Sequence, residues 1–159
     1  MIVVTFDVLA HQGDELGARQ PIPEARRLWG MMFSQYQGRI CVLATGVDKN
    51  KTPILMEWLK RENYKAGMLD LTDETNTDAK LERVRAIQAG VGRIDWFLDT
   101  DPSTVSRVIH EGIASLLVSI PSISRPEWTD GRVVRGGDEL SREIDAQALA
   151  KAEKAWKDD

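Results

Sequence analysis

The sequence predicts an α/β fold: a five-stranded parallel sheet in the order 3-2-1-4-5, flanked by helices, with a helical extension at the C-terminus. Two observations carry this expectation. Apolar, β-branched runs alternate with segments whose apolar residues recur at helical spacing, the pattern of successive βαβ units. Two of those runs, Ile2-Val3-Val4-Thr5-Phe6 and Trp96-Phe97-Leu98, stop at a carboxylate, Asp7 and Asp99 respectively. In open α/β sheets, ligands bind outside the carboxyl ends of the strands, where the chain reverses its direction of travel across the sheet. The order 3-2-1-4-5 makes the first and fourth strands neighbours and puts that reversal beside Asp7.

The elements follow in turn. The first strand spans residues 2–6, and a polar, turn-rich stretch (10–20) follows it, with Gly13 and Gly17. Pro23 suits the first turn of a helix. In that helix Ala25, Leu28, Trp29, Met32, Phe33 and Tyr36 recur at helical spacing as a core face, and Gly38 closes it. The second strand, 39–44, runs into Thr45-Gly46. Thr52-Pro53 offers a cap and a pre-set first turn for a second helix with Ile54, Leu55, Trp58 and Leu59 inward. A third strand, 66–71, leads through a polar loop to Thr77, the expected cap of a third helix that buries Leu81, Val84 and Ile87. After the fourth strand, 94–98, Asp101-Pro102 opens a fourth helix with Val105, Val108 and Ile109 inward and Gly112 at its end. The fifth strand, 114–118, is apolar enough to be buried on both faces. Beyond it, a Pro-, Ser- and Gly-rich stretch precedes a charged helix anchored sparsely by Leu140, Ile144 and Leu149. The expected organisation is one α/β domain (1–121) and a C-terminal extension (122–159) packed on it. Trp128 and Trp156 also give that extension the means to anchor a protein partner.

Composition narrows the function. With 159 residues, 42% of them hydrophobic and 29% charged, the chain can bury a sizeable core. A net charge of -4 argues against general nucleic-acid binding, which needs clustered Lys and Arg. A single cysteine, Cys41, forms no intramolecular disulfide and reads as a core thiol; one Cys and two His leave no zinc spacing. The N-terminus lacks signal-peptide character and no apolar run approaches bilayer length, so a cytoplasmic protein without membrane contact is expected.

Two carboxylates side by side at strand ends suit Mg²⁺ and a phosphorylated substrate. A compact two-metal nuclease would cluster carboxylates in the same place, but it would want three or four acids and a basic groove, and the net charge weakens that alternative. Thr5-Phe6-Asp7-Val8-Leu9, Leu43-Ala44-Thr45-Gly46 and Trp96-Phe97-Leu98-Asp99-Thr100-Asp101-Pro102, in that order and spacing, resemble the haloacid dehalogenase superfamily. The resemblance covers residues 1–121 and implies a Rossmann-like fold without a cap domain. The chain's size and Arg125-Pro126-Glu127-Trp128 also resemble small members from bacteriophage genomes.

Carried over by position, the resemblance implies that Asp7 is the nucleophile and a Mg²⁺ ligand, with the Leu9 backbone carbonyl beside it. Thr45 would hold the phosphoryl group. Lys80 would neutralise charge, with Lys49 and Lys51 as competitors. Asp99 would be the main further metal ligand and Asp101 a weaker one. The departures are as informative. The family's phosphatases carry an acid/base aspartate where this chain has Leu9, and a hydrocarbon transfers no proton. His11, two residues on, is the nearest candidate replacement. The expectation is a Mg²⁺-dependent phosphohydrolase or phosphotransferase, weak or specialised, with Leu9→Asp raising hydrolysis. The alternative is a non-catalytic descendant that kept the fold for binding.

Overall fold

The computed structural model describes residues 1–13 and 15–119. Strands and helices alternate as β1 (Ile2–Thr5), α1 (Pro23–Tyr36), β2 (Ile40–Thr45), α2 (Thr52–Arg61), β3 (Met68–Thr72), α3 (Thr77–Val91), β4 (Trp96–Asp99), α4 (Pro102–His110) and β5 (Ser115–Leu117). The strands form one all-parallel sheet in the order β3-β2-β1-β4-β5, as the sequence predicts.

Period-two alternation divides the sheet's side chains between two cores. Ile2, Val4, Ile40, Val42 and Leu98 pack with Trp29, Leu55 and Trp58 of α1 and α2. Val3, Cys41, Leu43 and Phe97 pack with Val84, Ile87, Val105 and Val108 of α3 and α4. The chain therefore winds outward from β1 to β3 with helices on one face, then returns to β4 through α3 on the other. That change of face leaves a switch point at the carboxyl end of β1. Cys41, in the middle of β2, is fully buried, and burial pushes its thiol up to about 12, with Asp70 adding to the effect. It is an inert core residue.

Local differences from expectation have local causes. Ile54 and Ile109, expected inward, are 44% and 46% exposed, each at the margin of a buried face that Leu55, Trp58 and Leu59 on α2 and Val105 and Val108 on α4 fill. β1 ends at Thr5 rather than Phe6, because Phe6–Val8 coil into a 3-10 turn in which the Phe6 carbonyl accepts from both Leu9 N and Ala10 N. Asp7 thus stands on a turn just past the strand. Asn76, not Thr77, caps α3: its side chain accepts from Ala79 N at 2.7 Å. β5 is a three-residue edge strand rather than one buried on both faces, and Leu116 is 47% exposed. Leu116 shares the face of its register partner Leu98, and at that edge no helix among the described residues covers it. No helix among the described residues is long and apolar enough to cross a membrane. The expected C-terminal helix, with Leu140, Ile144, Trp128 and Trp156, lies outside the described residues.

Candidate functional site

The switch point gathers charge. Asp99 ends β4 fully buried, and its carboxylate accepts from Thr5 Oγ1 at 2.8 Å, Thr100 N at 2.7 Å and Lys80 Nζ at 2.9 Å. Lys80 reaches it from the first turns of α3, itself 5% exposed, with its stem along the α3 face of the sheet. Period-two alternation aims Thr5 at that same face, which is why the hydroxyl meets Asp99. Asp7, one turn past β1, is only half-buried, and Arg19 Nη1 stands 3.8 Å from its Oδ1. Burial raises the Asp7 carboxyl above its ordinary value, Lys80 opposes that rise, Asp99 adds to it and Arg19 opposes it again. Two carboxylates and two cations are therefore interleaved at one edge of the sheet.

Of the residues expected from sequence, Asp7, Lys80 and Asp99 converge. Thr45 ends β2, half-buried, two residues beyond the Thr5↔Leu43 register pair, and so reaches the same edge as Asp7. Gly46 follows it at φ 67°, and a Cβ there would lie 2.7 Å from the Thr75 methyl, so the close passage of the 72–76 loop depends on glycine. Lys49 and Lys51 lie exposed on a 3-10 turn before α2, whereas Lys80 is buried at the site. Asp101 caps α4, accepting from Ser103 N at 3.1 Å and Thr104 N at 3.2 Å, and also from the Thr104 hydroxyl. His11 is half-buried, and its backbone N–H bonds to the Gln20 carbonyl.

Leu9 departs from its expected place. Its side chain is 1% exposed and belongs to the α1 and α2 core, not to the cleft before Asp7. Its backbone carbonyl accepts from Ile22 N at 2.9 Å. The 3-10 turn rotates the chain by the time Leu9 is reached, so the position two residues after Asp7 points inward.

Mg²⁺ prefers an octahedron of hard oxygens, one or two of them carboxylates. Here Asp99 already holds an ammonium and two further donors, both Asp101 oxygens serve the α4 cap, and the Leu9 carbonyl is bonded to Ile22. Among the described residues no three of His, Cys, Asp and Glu group as metal ligands. Asp7 is left as the carboxylate of the site that accepts no hydrogen bond among the described residues.

Sequence reasoning missed Arg19 and Thr5. Arg19 sits in a polar stretch that reads only as a loop, and nothing in its neighbours marks it. Thr5 was hidden inside an apolar strand run, although a hydroxyl there, beside Asp7, is the signal that could have found it. A cavity of about 300 Å³ lined by Arg26, Trp29, Phe33, Glu62 and Tyr64 lies elsewhere and holds none of the site residues. No family model matches this sequence, and no curated protein matches it.

The raised Asp7 has a consequence for stability. A carboxyl whose folded pKa exceeds its unfolded value stabilises the protein while protonated, and that contribution is lost as pH rises through the folded pKa. Asp7→Asn is therefore expected to melt at a higher temperature than wild type near about pH 7, with the difference fading near about pH 3, below the ordinary carboxylate value. Thermal melts of both proteins across that range check it; equal melting at neutral pH would mean that Asp7 is not held at a cost.

Proposed function

We propose that this chain is a haloacid dehalogenase-like protein that receives a phosphoryl group at Asp7 and acts as a slow or specialised phosphohydrolase or phosphotransferase. One observation carries the reading: among the described residues, Asp7 alone of the three aspartates here accepts no hydrogen bond, and it stands partly exposed with Lys80 and Arg19 as its cations at the end of the central strand. A carboxylate can attack phosphorus only where cations offset the repulsion between two anions. In the first step an Asp7 oxygen bonds to phosphorus while the bond to the leaving oxygen breaks, and that oxygen departs with the electron pair. In the second, water or an acceptor alcohol attacks the phosphorus, loses a proton to solvent and releases Asp7. Thr45 supports the phosphoryl oxygens, and Lys80 offsets the charge of the neighbouring Asp99 at the site.

The absence of an acid at Leu9 makes the leaving group decisive. p-Nitrophenolate leaves without a proton and an alkoxide does not, so p-nitrophenyl phosphate is expected to turn over at least about a hundredfold faster than an alkyl phosphate. Asp7→Asn is expected to abolish both. Rates for the two esters, with Mg²⁺ and with EDTA, test this; turnover that survives Asp7→Asn would remove the nucleophile assignment.

The second reading, a non-catalytic fold kept for binding, is favoured by a different observation: the Leu9 side chain lies in the core and Asp101 is bound up in a cap. Negligible signals from wild type with both esters, together with retained phosphate binding, support it.

A further inference from the structure

Arg19 owes its position to α2, not to the loop that carries it. The Trp58 indole N–H donates to the Arg19 carbonyl at 2.7 Å, and Arg61 donates to the Gly17 carbonyl at 3.0 Å. Leu16 is buried in the same core, and the Ala10↔Pro21 bridge closes the base of the excursion. The backbone around Arg19 is thus tied at both ends and in the middle. The guanidinium carbon lies 5.5 Å from the centre of the Phe6 ring, so the planar group is held over an aromatic face rather than swinging in solvent.

The guanidinium is nevertheless underused. Its Nε is buried and has no hydrogen-bond partner among the described residues. Its Nη1 is 3.8 Å from Asp7 Oδ1, near enough for attraction and beyond the roughly 3.2 Å limit of an N–H···O bond. A buried donor without an acceptor is costly and calls for an explanation, a bound anion being one. A phosphoryl group whose central atom faces Asp7 brings its oxygens alongside the Arg19 guanidinium, which stands 3.8 Å from that carboxylate. Lys80, the other cation of the site, already donates to Asp99.

We infer that Arg19 grips the non-bridging oxygens of the phosphoryl group presented to Asp7, using the two-pronged geometry that a guanidinium offers and an ammonium does not. The inference rests on the phosphoryl reading of Asp7 and adds to it the residue that recognises the anion.

Inorganic phosphate is the probe, its affinity followed by ³¹P NMR titration of the whole chain. Asp7→Asn removes an anion from beside the ligand and is expected to bind phosphate more tightly than wild type. Adding Arg19→Gln in that background is expected to weaken binding by about tenfold or more, the scale of losing charge-assisted hydrogen bonds. Arg19→Lys in the same background should recover only part of the loss. If Arg19 served only as the counter-ion of Asp7, the double variant would bind phosphate as well as Asp7→Asn alone, and the inference would be overturned. Should Arg19→Gln fail to fold, Arg19→Lys carries the same comparison: affinity equal to that of the Arg19 protein overturns the two-pronged grip. No phosphate binding by wild type or Asp7→Asn would remove the phosphoryl site as a whole, an outcome distinct from loss of the Arg19 role alone.

Discussion

Leu9→Asp is expected to unfold the protein or bring it close to unfolding, and to yield no gain in phosphatase activity. Read as sequence, position 9 is where an acid is missing, and an aspartate there is the obvious repair. In the folded chain the Leu9 side chain is 1% exposed within the core formed with Phe6, Ile22 and Trp58. Truncating a buried leucine costs about 2–5 kcal/mol through lost contacts and the cavity left behind. Burying a carboxyl in its place adds the desolvation of a polar group, so the total should exceed about 4 kcal/mol. That is most of the stability of a domain whose total is of order 5–15 kcal/mol. Leu9→Met, which conserves volume, should cost less than about 1.5 kcal/mol and serves as the control. Urea unfolding of the three proteins, followed by turnover of an alkyl phosphate, measures both halves. A well-folded Leu9→Asp protein with faster turnover would show that the turn can rotate its side chain out to Asp7, and the core assignment of Leu9 would fall.

Lys80→Met is the second substitution with a large expected effect. The Lys80–Asp99 pair spans 2.9 Å, with the two side chains 7% and 0% exposed. Removing the ammonium leaves the Asp99 carboxylate in the interior with, among the described residues, the Thr5 hydroxyl and the Thr100 N–H to stabilise its charge. Breaking a buried pair in this way typically costs about 3–5 kcal/mol, much of it the penalty of the stranded charge. The double variant Lys80→Met with Asp99→Asn has no stranded charge, and its loss should be clearly smaller than the sum of the two single losses. Chemical unfolding of all four proteins in a double-mutant cycle gives the coupling. Additive losses would mean that the two groups do not interact in the interior as the geometry requires. The same lysine also screens Asp7 from Asp99, so Lys80→Met should weaken anion binding at Asp7 even where the protein stays folded.

The architecture was legible in the chain because its information is local and repeated. A run such as Ile2-Val3-Val4 between polar stretches has few other uses, and the helical spacing of Leu55, Trp58 and Leu59 leaves one face to bury. Pro23, Pro53 and Pro102 each open a helix as expected. The sheet order followed from requiring the two aspartate-ended strands to be neighbours. Asp7, Lys80 and Asp99 were legible for a related reason: charged residues at strand ends and at the start of a helix converge once the topology is known.

What the sequence by itself determined is the alternation of elements, the order of the sheet and the edge at which charge collects. Only the tertiary structure decided which atoms of that charge are free. The 3-10 turn at Phe6–Val8 turned Leu9 into the core, and the cap of α4 took Asp101. Asp99 was drawn into a buried pair with Lys80, while α2 carried Arg19, its side chain 18% exposed and unannounced by its neighbours, to within 3.8 Å of Asp7. The physical reason is range. Periodicity and capping act over a few residues and are written in order along the chain, whereas hydrogen bonds and ion pairs are settled by partners that meet only when distant segments pack.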